Sequence, residues 1–253
     1  MNEQHRVVTA EEWLKARLEL LAKEKEFTRL RDQLSQQRRE LPWERVDKQY
    51  IFDGPNGKET LAEVFENRSQ LIIYHFMFAP DWDAGCRGCS WWADNFERNV
   101  VHLNHRDVTM VAISRASLRK IEEFKKRMGW TFKWYSSGGC DFNYDYCVSI
   151  RPEQSAGEKI NSPLYEEHKM LPRPATLFYN YSETETGLEE LPGFSVFFKD
   201  DGGNIFHTYS CYQRGLDMLN AGYHLLDLVP KGRDEEGLPH SMAWLRHRDR
   251  YVD

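Results

Sequence analysis

Two cysteines separated by two residues are the feature of this sequence that most directly indicates chemistry. Cys86 and Cys89 lie between an apolar run that ends at Ala79 and a segment of helical periodicity. A thiol at the start of a helix lies near unpaired backbone amides that favour its thiolate, and a thiol one turn later is within disulfide reach. The pair therefore indicates a dithiol redox centre, with inert cysteines and half of a metal site as the alternatives.

Position along the helix also assigns roles to the two thiols. We expect Cys86 to be the more acidic and more exposed thiol, and Cys89 to pack towards the helix interior. The charge of Arg87 favours the Cys86 thiolate, whereas the nearby Asp81 and Asp83 oppose it. Cys86 is therefore the expected nucleophile and Cys89 the resolving thiol.

The remaining cysteines do not complete a zinc site. Six residues separate Cys140 from Cys147, and no His-x-x-x-His pair lies nearby, whereas structural zinc sites use closer spacings. For these two cysteines and for Cys211 we expect small buried or surface thiols. The sequence thus predicts neither a metal nor another cofactor.

Two further side chains could assist a thiol. His75 precedes the pair on the apolar run, so it could shuttle a proton or be a hydrogen-bonded core histidine. Arg115 follows a second apolar run, at the edge where parallel sheets bind ligands. It could hold an anionic substrate or steady a thiolate, or it could be a solvated loop arginine.

Composition narrows the class of protein. The 253 residues include 34 Lys and Arg against 40 Asp and Glu, which gives a formal charge of −6 and argues against a general nucleic-acid-binding surface. The longest apolar run, 71–79, is about half of the roughly 20 residues that cross a bilayer. Five unevenly spaced cysteines do not make a secreted disulfide framework. We therefore expect a cytoplasmic protein that binds neither nucleic acid nor membranes.

The order of periodic segments predicts the elements that position the dithiol. Residues 71–78 and 108–114 are apolar without alternation, which is typical of strands buried on both faces, and helical spacing follows each, over 92–103 and 118–128. This alternation predicts an α/β fold with parallel strands. A short strand over 132–136, a hairpin of 194–199 with 204–209 and a closing helix over 216–226 follow.

The N-terminal segment predicts one long helix from Thr9 to Leu41. Thr9 and Glu12 form a capping box, and Pro42 ends the helix. The second position of the heptad seam is only half apolar, so the helix either lies along its own domain or pairs with a second copy as a dimerisation arm. The first seam position recurs every seven residues: Trp13, Leu20, Phe27, Leu34 and Leu41.

These segments suggest a domain organisation. We expect a helical arm over 1–45, an α/β domain over 46–229 and a polar tail over 230–253. Residues 152–191 show no sustained periodicity and contain several prolines. We interpret them as an irregular insertion that could cover an active site.

Several short motifs resemble the peroxiredoxin and thiol-reductase branch of the thioredoxin fold. They are Phe52-Asp53-Gly54, Gly57-Lys58, Leu61, Gly85-Cys86-x-x-Cys89, Val108 to Ser114, Trp134-Tyr135-Ser136-Ser137 and Asp201-Gly202. A second set is similar to a bacterial family catalogued as domain of unknown function number 899, over nearly the whole chain. This set comprises Glu24-Lys25-Glu26, Leu41-Pro42-Trp43, Tyr74-His75-Phe76-Met77-Phe78, Asp141-Phe142-Asn143-Tyr144-Asp145, Phe206-His207-Thr208-Tyr209-Ser210 and Arg214-Gly215-Leu216-Asp217.

The resemblance implies a thioredoxin-like central mixed sheet flanked by helices, and a redox role. Together with the dithiol it indicates a thiol-disulfide oxidoreductase that acts on a protein or small-molecule disulfide or thiol. Thioredoxins place a cis-proline opposite the dithiol, and Pro192 occupies a comparable place. A non-catalytic interaction protein, with its aromatic residues as the binding surface, is the alternative.

Peroxiredoxins provide a third possibility, a weak thiol peroxidase. They carry Pro-x-x-x-Thr/Ser-x-x-Cys, in which the hydroxyl helps to bind peroxide. Counted from Cys86, those positions hold Ala79 and Asp83; counted from Cys89, they hold Trp82 and Cys86. The missing proline and hydroxyl argue against efficient peroxide reduction.

Overall fold

The computed structural model describes residues 5–151 and 175–252. The chain forms two compact units, Met1–Pro42 and Trp43–Asp253. Among the described residues, no helix combines the length and apolarity that crossing a membrane requires.

The first unit is built on one long helix, α1, Ala10–Arg39. As predicted, Thr9 and Glu12 form a reciprocal capping box at its start. No residue of α1 is buried. The four seam residues within it are therefore all exposed: Trp13, Leu20, Phe27 and Leu34.

In the described part of the second unit, the strands form an eight-stranded mixed sheet and a separate hairpin. The strand order in the sheet is β1-β10-β9-β4-β5-β6-β2-β3, and β7 pairs with β8. The strands are β1 Glu44–Arg45, β2 Ile51–Gly54, β3 Gly57–Thr60, β4 Gln70–His75, β5 Val108–Ser114, β6 Trp134–Ser136, β7 Ala175–Tyr179, β8 Ser182–Thr186, β9 Gly193–Lys199 and β10 Ile205–Tyr212.

The centre of this sheet has the topology of a thioredoxin-like domain. Strands β4, β5 and β6 are parallel, while β9 runs antiparallel to β4 and β10 antiparallel to β9. At the middle of the sheet, Ile72 pairs with Met110 on one side and Val196 on the other. The α/β class and the thioredoxin-like sheet that the sequence indicated are therefore confirmed.

The helices agree with the sequence at some ends and differ at others. Strand β5 and the helix Leu118–Met128, α5, have the predicted bounds. Gly129 ends α5 in the left-handed conformation (φ 64°). The helix predicted over 92–103 is two helices, and the closing helix is broken at Asn220, whose side chain caps the next helix. The bounds are α2 Leu61–Val64, α3 Arg87–Phe96, α4 Val100–Asn104, α5 Leu118–Met128, α6 Phe142–Asp145, a 3-10 helix Gln213–Leu219 and α7 Ala221–Leu226.

Part of the expected insertion is regular, so this expectation was wrong for 175–186. These residues form the β7–β8 hairpin, whose two turn residues, Asn180 and Tyr181, have φ values of 53° and 62°. Positive φ at both positions is typical of a type I′ turn, which matches the twist of the strands. Residues 152–174 lie outside the described part of the chain, so their predicted cover over the dithiol stays a prediction.

The sheet separates two apolar clusters. Successive side chains of a strand point to opposite faces, so Tyr74 packs in the cluster that contains Cys86 and Cys89, whereas Ile73 packs in the cluster on the other side. His75 stacks with Phe142, a member of that second cluster. The last residues of β4 therefore supply one side chain to the dithiol face and the next to the opposite face.

Candidate active site

The dithiol lies where the sequence placed it, between β4 and α3. Cys86 is the N-cap residue of α3, and its backbone N–H donates to the carbonyl oxygen of Met77 (3.0 Å). Its own carbonyl oxygen accepts from the N–H and hydroxyl of Ser90 (2.9 and 2.8 Å). Both ends of the Cys86 backbone are thus fixed, and its sulfur lies beside the first free amides of the helix.

Hydrogen bonding lowers the pKa of the Cys86 thiol below its ordinary value. The largest cause is a hydrogen bond from the Cys89 thiol; the amides of Cys89 and Gly88 and the charge of Arg87 act in the same direction, and burial opposes them. Each of these groups interacts more strongly with a thiolate than with a thiol. The start of α3 therefore favours Cys86 over Cys89 as the anionic sulfur.

Cys89 has the opposite tendency. Burial raises its pKa well above 9.0, and its proximity to Cys86 adds to that effect. The backbone N–H of Met77 donates to the Cys89 sulfur (3.4 Å), and the buried Tyr74 hydroxyl also interacts with this thiol. Within the described chain, that hydroxyl has no hydrogen bond of ordinary geometry. Both cysteines are free thiols.

Access to the two sulfurs is narrower than the sequence suggested. Cys86 is the more exposed of the two, as expected, but it is only 9% exposed, against 3% for Cys89. Both thiols line a pocket of about 270 Å³ with a mainly apolar lining. A reactant must therefore enter this pocket to reach either sulfur.

The segment expected to be a polar tail forms one wall of this pocket. Met242 lines it, and Gly88 leaves room between Met242 and the thiol: a Cβ on Gly88 would lie 3.5 Å from Met242 Cε and 3.6 Å from Cys86 Sγ. Nearby, Leu245 is buried and the Trp244 ring lies 5.3 Å from that of Trp91 on α3. The tail is thus part of the dithiol environment.

A single carboxylate holds this wall in place. Oε1 of Glu235 accepts from the backbone N–H of Met242 (2.9 Å), the indole N–H of Trp244 (2.8 Å) and the hydroxyl of Tyr223 (3.1 Å). Tyr223 is itself a pocket residue. Glu235 therefore connects two sides of the pocket.

His247 fixes the loop that precedes the dithiol. Its Nε2 donates to the carbonyl oxygen of Gly85 (2.8 Å), and its Nδ1 accepts from Arg127 Nη2 (3.2 Å). Asp249 in turn accepts two hydrogen bonds from Arg127 (2.8 and 2.9 Å). This arrangement uses the neutral imidazole, consistent with burial lowering the pKa of His247. The sequence held no periodic or spacing signal for either His247 or Met242.

Pro192 is brought to the dithiol, but not in the expected conformation. It precedes β9 and lines the pocket, and its carbonyl oxygen accepts from the Tyr179 hydroxyl (2.6 Å). No peptide bond in the described chain is cis. The predicted position was therefore right and the predicted cis geometry wrong.

His75 lies on the face of the sheet opposite the dithiol. Its ring is buried, and Nε2 is 2.8 Å from the hydroxyl oxygen of Ser195, its hydrogen-bond partner. The bonded chain continues through Ser210 (2.8 Å) and His207 (2.7 Å) to the exposed Glu44 (3.2 Å). Burial, and secondarily His207, lowers the pKa of His75 to about 3. His75 is thus a core histidine, and the proton-shuttle hypothesis is wrong.

The contacts of Arg115 differ from both roles that the sequence suggested, a group that binds a substrate or a thiolate and a solvated loop arginine. It is 7% exposed, and its guanidinium donates to Glu189, Glu190 and the hydroxyl of Tyr144. Burial raises the pKa of Glu190 to about 7, although Arg115 acts in the other direction. The guanidinium is engaged by these acceptors, so Arg115 is neither solvated nor directed at the thiols.

The other cysteines do not extend the site. Burial raises the pKa of the half-buried Cys140 and Cys147. Cys211 is buried in the same apolar cluster as the dithiol. Over residues 5–151 and 175–252, no group of three or more His, Cys, Asp or Glu is arranged to hold a metal ion.

A family model described as a bacterial protein of unknown function, DUF899, matches residues 2–251. No curated protein matches the chain.

Solved structures similar to this chain include two peroxiredoxins and a putative isomerase. Peroxiredoxin Q from Xanthomonas campestris is 12% identical, with 69% of this chain and 90% of that chain covered and a TM-score of 0.40. The peroxidoxin BcpB from Mycobacterium tuberculosis is 12% identical, with 72% and 94% covered and a TM-score of 0.39. A putative protein disulfide isomerase from Bacteroides thetaiotaomicron is 15% identical, with 77% and 97% covered and a TM-score of 0.37.

Proposed function

The chain belongs to the bacterial family DUF899, and we propose that it is a thiol-disulfide oxidoreductase in which Cys86 attacks and Cys89 resolves. One observation carries this proposal: two free thiols lie together at the start of α3 and line the same pocket. Their surroundings lower the pKa of Cys86 and raise that of Cys89. A nucleophile that is anionic and a resolving thiol that stays protonated are what exchange through a mixed disulfide requires.

The same contacts explain how the second step follows the first. While Cys86 is anionic, its charge raises the pKa of Cys89. Once Cys86 is bonded to a substrate sulfur, that charge is gone and Cys89 loses its proton more readily. The N–H of Met77 and the hydroxyl of Tyr74 then stabilise the new thiolate, which attacks the Cys86 sulfur.

Other residues of the site have supporting roles in this proposal. Arg87 favours the Cys86 thiolate through its charge, and Pro192 forms part of the pocket wall. Substrates are protein or small-molecule disulfides or thiols. We place the activity in the cytoplasm, where a reducing pool keeps such a dithiol available.

Partner trapping tests the assigned roles. Cys89→Ser attacks a disulfide and then stalls as a mixed disulfide, whereas Cys86→Ser cannot begin, so only the Cys89 variant is expected to accumulate dithiothreitol-sensitive adducts in a cell lysate. In parallel, the alkylation rate of Cys86 is measured across pH, and we expect a midpoint below the roughly 8.5 of a free cysteine.

Two outcomes would favour the non-catalytic interaction protein instead. One is equal trapping by both variants; the other is an alkylation midpoint for Cys86 at or above that of a free cysteine. Either result would leave the aromatic pocket as a binding surface without exchange chemistry.

We also propose that α1 pairs with α1 of a second copy. Its seam residues recur every seven positions and are exposed, and such a stripe buries its apolar side chains in a coiled coil. Replacing Leu20 and Phe27 with Lys is expected to convert a dimer to a monomer in sedimentation. The circular dichroism spectrum of the variant should show that the chain remains folded. A monomeric wild-type protein at high micromolar concentration would remove this proposal.

A further inference from the structure

We infer that the dithiol acts on a low-molecular-weight, largely apolar disulfide held in its pocket, and that Met242 determines this specificity. The inference rests on the proposed function, because it names the substrate of the same two thiols. Three features of the pocket carry it: its size, the chemistry of its lining and the backbone conformation of Met242.

Size limits what can reach the sulfurs. Pockets that hold drug-sized ligands span roughly 300 to 1,000 Å³, and this one is about 270 Å³. Cys86 and Cys89 are 9% and 3% exposed, so an attacked disulfide must enter the pocket rather than rest on the surface. In a folded protein, each half of a disulfide is attached through its Cβ to a polypeptide chain, which we expect to be too bulky for this space. A small free disulfide does.

The lining selects against charge. Most of its lining is apolar and comes from Tyr74, Met77, Trp92, Leu216, Tyr223 and Met242; the polar residues that also line it are Gln213, Arg214, Asp217 and Ser241. Trp92 is fixed by a hydrogen bond from its indole N–H to the carbonyl oxygen of Leu216 (2.9 Å), so this wall is already formed.

The charged groups at the rim are already paired. Arg214 contacts Asp217 (2.8 Å), and Asp217 also accepts from Arg233 (2.9 Å). Both charges therefore already have partners of opposite sign, which reduces what a charged substrate would gain by binding them. An apolar disulfide does not depend on that gain.

Met242 lies beside the dithiol in a strained backbone conformation. It has a φ of 65°, in the left-handed region that side-chain-bearing residues seldom adopt. The hydrogen bond from its N–H to Glu235 keeps it there. Backbone strain of this kind persists where the surrounding structure fixes it, and it concentrates at functional sites. Here it places the flexible Met242 thioether across Gly88 from the Cys86 sulfur.

The reaction balances without a further oxidant. The Cys86 thiolate attacks one sulfur of R–S–S–R, the S–S bond breaks, and one RS⁻ leaves while Cys86–S–S–R forms. Cys89 gives up its proton and attacks the Cys86 sulfur, which releases the second RS⁻. The proton from Cys89 and one from the solvent, which received it when Cys86 ionised, protonate the two leaving thiolates, so the dithiol loses two electrons and the substrate becomes two R–SH. A dithiol reductant such as dithiothreitol then restores the enzyme.

Single-turnover exchange tests the inference with three oxidants: dithiodipyridine, which is small and apolar, glutathione disulfide, which is charged, and insulin, a protein. The pre-reduced protein is mixed with each, and every rate constant is divided by that of dithiothreitol with the same oxidant to remove intrinsic reactivity. We expect the normalised rate for dithiodipyridine to exceed both others by about tenfold or more.

Pocket variants supply the second readout. Met242→Trp fills the pocket and is expected to slow exchange with dithiodipyridine by about tenfold. Met242→Ala widens it and is expected to raise the normalised rate with glutathione disulfide. Met218→Trp, at an exposed position of the 3-10 helix, is the matched control, and circular dichroism confirms that each variant folds.

The outcomes distinguish a failure of the proposed function from a failure of the proposed substrate class. A dithiol that never cycles between thiol and disulfide in a dithiothreitol redox buffer overturns the proposed function itself. A dithiol that cycles, but reduces insulin as well as dithiodipyridine after normalisation, overturns only the substrate class. An unchanged dithiodipyridine rate in folded Met242→Trp removes Met242 as the specificity residue.

Discussion

The two faces of the sheet hold different polar groups at the end of the same strand. On one face, Tyr74 contacts Cys89 beside an open pocket; on the other, the next residue, His75, is enclosed and bonded to Ser195. Both faces displace a pKa through burial. At the end of β4, the dithiol face also favours a charged form, that of Cys86, and this thiol lines a pocket.

The difference shows that a displaced pKa is not by itself a functional sign. His75 is kept neutral by its environment. Its Nε2 is hydrogen-bonded to Ser195, and the chain continues through Ser210 and His207 to Glu44, whereas its Nδ1 has no hydrogen-bond partner among the described residues. Cys86 has its pKa lowered by donors that are directed at its anion. Desolvation explains the first case and directed hydrogen bonding the second, and catalysis needs the second.

The largest expected effect comes from deleting one heteroatom on each face. Cys86→Ala is expected to reduce exchange to the buffer background, because Cys89 is only 3% exposed and burial raises its pKa, so it does not replace the nucleophile. Ser195→Ala leaves His75 without its partner and is expected to lower the free energy of unfolding by about 1–3 kcal/mol. Its exchange rate should stay near that of the wild type.

Exchange kinetics and urea unfolding are measured for both variants. We expect Cys86→Ala to lose exchange and Ser195→Ala to lose stability while it keeps exchange. Loss of exchange in folded Ser195→Ala would show that the far face takes part in the chemistry, and the distinction between the faces would be broken.

The next largest effect is a pH dependence of the free energy of unfolding, which arises from His75 on the face of the sheet opposite the dithiol. The folded state holds the pKa of His75 at about 3, against an ordinary 6.5, so between these values the unfolded chain binds a proton that the folded chain does not. Stability is therefore fully present above pH 6.5 and falls as the pH drops towards 3, by up to about 1.4 kcal/mol per pH unit from this group.

Urea unfolding between pH 4 and 7 measures that slope. We expect His75→Gln to flatten it, with the exposed His105→Gln as the matched substitution. An equally steep slope in His75→Gln would assign the acid sensitivity to other groups.

The smallest effect concerns the resolving step. Tyr74→Phe removes the hydroxyl whose interaction lowers the pKa of Cys89. Because this hydroxyl makes no hydrogen bond of ordinary geometry within the described residues, we expect a slowing of at most roughly fivefold, the value of a full hydrogen bond of about 1 kcal/mol. Tyr135→Phe is the control on the far face, where the hydroxyl donates to Glu59 (3.2 Å). Rapid-quench measurement of mixed-disulfide decay separates this step from the first attack. Equal decay in both variants would exclude a role for Tyr74.

Local signals predicted the frame of the site well. Thr9 and Glu12, the bounds of β5 and α5, and the location of Cys86 at the start of α3 all follow from periodicity and capping, which depend on neighbouring residues. The β7–β8 hairpin also had a local signal, since Asn180 lies between two short segments rich in strand-forming residues.

The rest depends on contacts between distant parts of the chain. His247 reaches Gly85 from 162 positions away, and Arg115 finds its carboxylates at Glu189 and Glu190. Polar segments without periodicity gave no indication of either contact. The narrow access to Cys86 likewise follows from tertiary packing of Met242, which no spacing in the sequence encodes.

The indole of Trp92 forms part of the wall around the dithiol, with the rings of Trp91 and Trp244 packed behind it. Disulfides quench the emission of a neighbouring indole more strongly than thiols do. Oxidation of Cys86 and Cys89 is therefore expected to decrease the intrinsic tryptophan fluorescence. The fluorescence intensity would then report the redox state of the dithiol without an added label.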